Sequence, residues 1–324
     1  MIVANGHSND FLHKYRNNQI QQGLGLGIYL DDFLLFKRGQ LNFILGHDNV
    51  GKSYWMMWYF LSLATQHDIK FTLFMDENSV NNAMRDLVRM YLGKKIQDSS
   101  AKELEIAIMK VEEWFSFIDN SKRYTPEEIL NIFRECKSDV FLIDPFNALK
   151  MQMSYSSNYD VLNELKMFCK TTKSTIYINA HPSSQSGRRM SVFPKGHTHE
   201  GQVMPPMKDD IEGGKAFSNK ADDFLILHRF VASPNDKTTT YLEVRKVKDT
   251  DTGGQQTLIN NPIAFDFNRG NGFLCGGQDS IKRPKNFQTF IYKDEPITPV
   301  DFNKIGRQVN ESKLTPEDEG FFPF

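Results

Sequence analysis

The stretch LNFILGHDNVGKSYWMMWYFLSLATQ (41–66) changes character twice along its length. LNFILG is a short apolar run, the pattern of a buried strand. From Gly51 to about Gln66 the chain is apolar almost all round, the pattern of a buried helix. Between them GHDNVGKS (46–53) fits G-x-x-x-x-G-K-[ST]. Glycines let such a loop curl so that its amides face phosphate oxygens, and the following helix adds its positive end. Lys52 is expected to reach the β- and γ-phosphates, and the Ser53 hydroxyl to bind Mg2+. Gly46, Asn49, Gly51, Lys52 and Ser53 are therefore the expected contacts for a nucleoside triphosphate such as ATP.

Working outward, strands and helices alternate. KFTLFM (70–75), WFSFID (114–119), DVFLID (139–144) and STIYINA (174–180) read as strands. Helices are expected at 79–93, 101–113, from Thr125 to about Lys137, and at about 158–172. Thr125 followed by Pro126, Glu127 and Glu128 supplies a hydroxyl cap, a first-turn proline and acids at the positive end. DFLILHRF (223–230) and TTYLEVRKV (239–247) read as consecutive antiparallel strands. Residues 183–214 read as one long loop, of a kind that is usually functional. The alternation predicts an α/β fold: a doubly wound, mostly parallel sheet with antiparallel C-terminal strands.

DVFLID ends in Asp144, placed to hold Mg2+ through water. The next residue is Pro145, where many ATPases keep a water-activating Glu, so the base must come from elsewhere. FMDENS (74–79) offers Glu77 first and Asp76 second; the alternative is that they cap a helix. His181, after STIYINA, is placed to hydrogen-bond a γ-phosphate and report its loss; the alternative is a surface histidine.

Bulk composition narrows the class. Apolar residues make up 40% of the 324, charged residues 24%, and 26 phenylalanines argue for a large core. Cys136, Cys169 and Cys275 are far apart, which disfavours a disulfide framework or zinc site and suits a reducing cytosol. The N-terminal MIVANGHSNDF does not read as a signal peptide, and no run approaches a membrane span. A cytoplasmic location is expected, in a host cell if the chain is phage-encoded. Net charge is −1 overall, with −3 in the last fourteen residues, so nucleic acid would be held by a local basic strip.

In this order, the motifs over about residues 22–275 resemble the DnaB-type replicative helicases, with the closer likeness to the phage primase–helicase and Twinkle branch. LGIYLDDFLLFKRGQLNFILG resembles the family's lead-in to the phosphate loop. FMDENS lies where the family carries its catalytic Glu, and INAHP resembles its sensor strand. The most specific stretch is HEGQVMPPMKDDIEGGKAFSNKADDFLILHRF (199–230). The resemblance implies a RecA-like P-loop NTPase core at 28–278, a homo-oligomeric ring of six, and ATP-driven movement on single-stranded DNA. It places Lys246 and Lys248 where the family carries residues that act on a neighbour's nucleotide, with lysine in place of the usual arginine at 248. A lysine supplies charge without the planar fork. It also places Arg188, Arg189 and Lys195 on a loop that grips the DNA backbone, contacts suited to sequence-independent binding; a solvated loop is the alternative.

Residues 1–27 are expected to form a linker helix (9–22) and a glycine-rich link (23–27), the helix docking on a neighbouring subunit. No primase or N-terminal helical domain is expected ahead of the core, so loader and primase functions would fall to other chains. Residues 279–324 are expected to be an extension, ending in LTPEDEGFFPF (314–324). That tail resembles the acidic tip that recruits replication partners, the alternative being a disordered, solubilising tail. A rival function shares the core motifs: a RecA-like, ATP-dependent single-stranded-DNA-binding or mediator protein that does not unwind.

Overall fold

Strand β1 (Leu41–Leu45) buries all five of its side chains, as an apolar run covered on both faces must. The computed structural model describes residues 7–17, 22–183, 192–233, 236–258 and 260–283. Within them β1 is joined by β2 (Phe71–Met75), β3 (Phe115–Phe117), β4 (Val140–Asp144), β5 (Thr175–Ala180), β6 (Phe224–His228), β7 (Thr239–Lys246), β8 (Ile263–Phe267) and β9 (Phe273–Cys275). They form one sheet in the order β3-β2-β4-β5-β1-β6-β7-β8-β9. Pairing is parallel from β3 to β6 and antiparallel from β6 to β9. The expected mostly parallel, doubly wound α/β sheet is what the chain adopts.

Alternate residues of each central strand feed two separate cores. Ile44, Leu73 and Leu142 pack with helices α2 (Lys52–His67), α3 (Val80–Leu92) and α4 (Ala101–Trp114) on one face. Phe43, Phe74 and Phe141 pack with α5 (Pro126–Glu135), α6 (Tyr155–Thr172) and the short α7 (Ala216–Lys220) on the other. The all-round apolarity of α2 has a specific cause. One side meets the sheet, and the other is roofed by β8, β9 and residues 26–36. Trp58 meets Phe265 and Phe273 edge-on, with ring centroids 5.3 and 5.8 Å away, the arrangement that aromatic quadrupoles favour. Strands β8 and β9 do not stand out in the sequence. β9 has only three residues, and β8 leaves Ala264, Asp266 and Phe267 exposed, so neither makes the continuous apolar run of the central strands.

Local signals explain most helix ends. Thr125 and Glu128 form a reciprocal capping box at α5, and Ser100 and Glu103 form another at α4. Helix α6 starts three residues earlier than the expected 158 because Ser154 caps it, accepting from the Ser157 amide at 3.2 Å. The N-terminal helix α1 spans His7–Arg16, within which Leu12 and Tyr15 are exposed. Glycines 23–27 run along the core: Leu24 pairs with Phe36, and Leu26 is buried. In the 183–214 stretch, Pro182 bridges Ile211 and Val192 bridges Val203, so its base is closed against β5. Within the described residues no helix is long and apolar enough to cross a membrane.

Two predictions concern stability. Phe141 is 1% exposed and stacks on Phe133 at 4.2 Å. Phe141→Ala should cost about 3–5 kcal/mol, as emptied aromatic core sites do, read from urea unfolding. His228 is 4% exposed, and burial pushes its pKa down to about 4. Its folded pKa lies below the unfolded value, so between about pH 6.5 and 4 the unfolded chain binds the extra proton. Stability should therefore fall as pH drops through that window, by up to about 3 kcal/mol from this group. His228→Phe should flatten that part of the stability–pH profile; an unchanged slope would show that His228 does not set it.

Candidate active site

The phosphate loop leaves β1 at Leu45 and must turn at once into α2. Gly46 is required by packing, since a Cβ there would lie 2.5 Å from the Leu227 carbonyl oxygen. Gly51 is required by conformation, with φ of 93°. Asn49 also has positive φ, 60°, which asparagine tolerates better than most residues. Lys52 is buried, and its Nζ donates to the carbonyls of Gly46 at 2.8 Å and His47 at 3.0 Å. Burial lowers its pKa, opposed by the negative charges of Asp144, Asp48 and Glu77. The ammonium is thus held at the loop within the field of three carboxylates.

Parallel register brings the other candidates to the same edge. Met75 is level with Asp144, and Leu45 with Ala180. Asp144 is buried, with Oδ2 unpartnered. Burial raises its pKa, opposed by hydrogen bonding from Ser53 and Asn179 and by the charge of Lys52. Helix α3 is capped by Ser79, so neither Asp76 nor Glu77 serves as its cap. Asp76 gives its backbone N–H to the Asp144 carbonyl at 2.9 Å, and its side chain is exposed. Glu77 is exposed as well, but its Oε1 lies 3.6 Å from Nε2 of His181. The other ring nitrogen, Nδ1, lies 2.8 Å from Oδ1 of Asp48.

Several contributors do not stand out in the sequence. Asn120 donates from its amide to the carbonyls of Met75 at 2.8 Å and Asn78 at 2.9 Å, anchoring the Glu77 turn. Arg229, just past β6, donates to the Asn49 carbonyl of the phosphate loop. Asn179 is buried beside Asp144, with its side chain toward that carboxylate. Each sits at or just past a strand's carboxyl end, the one signal that the sequence offers for them.

Lys246 and Lys248 do not join this group. Lys246 is level with Phe224, at the start of β6, while the phosphate loop lies past the end of neighbouring β1. Phe224 is itself level with Phe43, so Lys246 lies about 7 Å short of Leu45 along the strands at ~3.3 Å per residue, and Lys248 lies further from the loop. Lys246 Nζ donates to the Ser218 carbonyl at 3.0 Å, and Lys248 Nζ lies 3.0 Å from Asp222 Oδ1. Asp222 also binds Lys166 at 2.7 Å.

Lys195 is exposed on the loop after β5; Arg188 and Arg189 lie outside the described residues. That loop rests on the sheet through rings. Phe193 stacks on His197 at 4.2 Å, and His199 on Phe230 at 3.8 Å. A cleft of about 1360 Å³ runs beneath, with His47 of the phosphate loop in its wall. Among the described residues no group of three or more His, Cys, Asp or Glu is placed to hold a metal.

No family model matches the chain. The Twinkle homolog protein, chloroplastic/mitochondrial, of Arabidopsis thaliana is 25% identical over 294 residues, covering 83% of this chain. The chain spans 36% of that relative's length. Among solved structures, one isolated ATPase domain superposes with a TM-score of 0.65 at 13% identity, over 84% of this chain and 99% of that one. A DnaB-like replicative helicase, studied with its interactions with primase, superposes with a TM-score of 0.61 at 13% identity, over 85% of this chain and 67% of that one. In fold, and through the Twinkle homolog in sequence, the chain is similar to the DnaB-type replicative helicases, as its motifs indicate.

Proposed function

We propose that the chain is an ATP-hydrolysing DNA helicase of replication, working as a ring and moving on single-stranded DNA. One observation carries this reading. Phosphate loop, Asp144, Glu77 and His181 converge on one edge of the sheet, while Lys246 and Lys248 lie on the other, out of reach of their own loop. A site so divided is completed by a neighbouring copy, and a hexamer is the proposed assembly. In the DnaB-like structure the helicase is described with primase. Partners of that kind are proposed here too, and the tail at 314–324, proposed to recruit them, lies outside the described residues.

The residues suit a nucleotide with Mg2+. The unpartnered buried oxygen of Asp144, hydrogen-bonded beside Ser53, is a hard-oxygen donor set with capacity to spare. Ser53 and Asp144 would hold Mg2+ there, and the ion would supply neutralisation of the charge that develops in phosphoryl transfer. Gly46, Asn49 and Gly51 shape the loop whose amides face the phosphates. Lys52 exchanges its carbonyl contacts for the β- and γ-phosphates. Glu77 accepts a proton from the attacking water, with Asp76 as the second choice. His181, on the strand that leads into the Lys195 loop, links the γ-phosphate to the segment proposed to grip DNA with Arg188, Arg189 and Lys195. Lys248 and Lys246 act on the neighbour's nucleotide, Lys248 leaving Asp222 to do so.

Lys52→Ala should abolish ATPase and strand displacement on a forked duplex. Glu77→Gln should still bind nucleotide while turnover falls roughly 10²–10⁴-fold, the range for a lost general base. DNA-stimulated ATPase without displacement under any loading condition would instead favour the RecA-like mediator. The divided site gives a further expectation. Lys248→Ala and Lys52→Ala chains, each inactive alone, should regain ATPase when mixed, because one supplies an intact loop and the other an intact lysine. Failure of every mixing ratio would place Lys248 outside the neighbour's site.

A further inference from the structure

A carboxylate is an unexpected residue in a loop that binds phosphate. Asp48 sits at the third position of Gly46–Ser53, its side chain 83% exposed, where it adds negative charge beside the triphosphate. Coulomb repulsion there works against nucleotide affinity, so the residue is explained by what it does for something else. The structure shows one partner: Asp48 Oδ1 lies 2.8 Å from His181 Nδ1. An ionised carboxylate can only accept, so the Nδ1–H of His181 donates to it. His181 is itself largely buried, at 18% exposure, and its other nitrogen is turned to Glu77 at 3.6 Å.

We propose that Asp48 is a positioning residue for hydrolysis: it accepts from His181 Nδ1–H and so holds the ring, as an imidazolium, with its second N–H, at Nε2, directed to Glu77 and to a γ-phosphate on the loop. This rests on the reading of Gly46–Ser53 as the phosphate loop and Glu77 as the base. The logic is that of any imidazole oriented by a carboxylate: the bond to one nitrogen fixes both the ring plane and the position of the other. Without it, His181 can rotate about its side-chain torsions, and Nε2 is no longer confined to the space between Glu77 and the loop. The carboxylate's hydrogen bond is to the imidazole, so its positioning effect passes through His181, whereas its charge acts on the phosphate site through Lys52 in the opposite sense.

The test is a double-mutant cycle on the full chain, read by ATPase kinetics, with histidine nitrogen NMR as a readout independent of turnover. Asp48→Ala should lower kcat about tenfold without raising KM for ATP, since a negative charge has left the phosphate site. Asp48→Asn, which keeps an acceptor for Nδ1–H, should restore most of the loss. In the His181→Ala background, Asp48→Ala should change kcat less than twofold, because coupled residues are not additive. The NMR spectrum should show the Nδ1–H form of His181 in the wild type and its loss in Asp48→Ala. Equal losses in both backgrounds, a raised KM at unchanged kcat, or an unaltered His181 spectrum would each overturn the proposal. Lys52→Ala and Glu77→Gln test the underlying site separately: retained turnover there would fail that site, whereas an Asp48 cycle without coupling would fail only the positioning role.

Discussion

Parallel pairing between β2, β4, β5, β1 and β6 is the constraint from which the rest of the structure follows. Parallel strands end at a common edge, and register decides which residues stand level there. Leu45 beside Ala180 and Met75 beside Asp144 set the phosphate loop, the histidine, the glutamate turn and the buried aspartate side by side, although they are scattered over more than 130 positions of sequence. A shift of one residue in any of these pairings would turn its side chains to the opposite face and empty the site. Two cores guard against that. Each central strand buries aromatic or aliphatic side chains on both faces, so no slipped register can hide them equally well.

The same sheet holds its charged residues in two groups at opposite edges. At the carboxyl edge Lys52 lies within the field of Asp48, Glu77 and Asp144. At the other edge Asp222 binds Lys166 and Lys248, and Lys37 lies 3.1 Å from Asp223. Buried ion pairs contribute little net stability, because desolvation offsets attraction. Their value here is placement. Asp222 also accepts from the Leu41 amide at 3.0 Å, tying the start of β1 to the segment that enters β6. In the proposed ring, the lysine that leaves this cluster for a neighbour's phosphates exchanges one anionic partner for another, so its charge is never left without compensation.

Much of this is legible in the chain's order. The phosphate loop declares itself because its chemistry needs glycine, lysine and a hydroxyl at fixed spacing between a strand and a helix. The strand that ends in Asp144, the capping box at Thr125 and the two antiparallel strands after residue 223 are readable from local pattern. Helix α6 begins before its apolar pattern does, because Ser156 and Ser157 resemble loop residues whereas Ser154 supplies the cap. Strands β8 and β9 escape a reading of the sequence because their partner is the far side of α2, a contact with no local signature. Lys246 and Lys248 can be named from the sequence, but the antiparallel return of β7 is what carries them to the opposite edge.

The sequence by itself determined the kind of fold and the presence of a glycine-lysine-serine loop between a strand and a helix, because helix and strand periodicity and the loop's glycine spacing are short-range properties. Tertiary structure alone decided which acids meet the histidine, Asp48 at one nitrogen and Glu77 at the other, and that Asn120, Asn179 and Arg229 lie beside the same residues. Those facts depend on strand order and register, and strand order joins residues whose separation along the chain carries no trace of their separation in space.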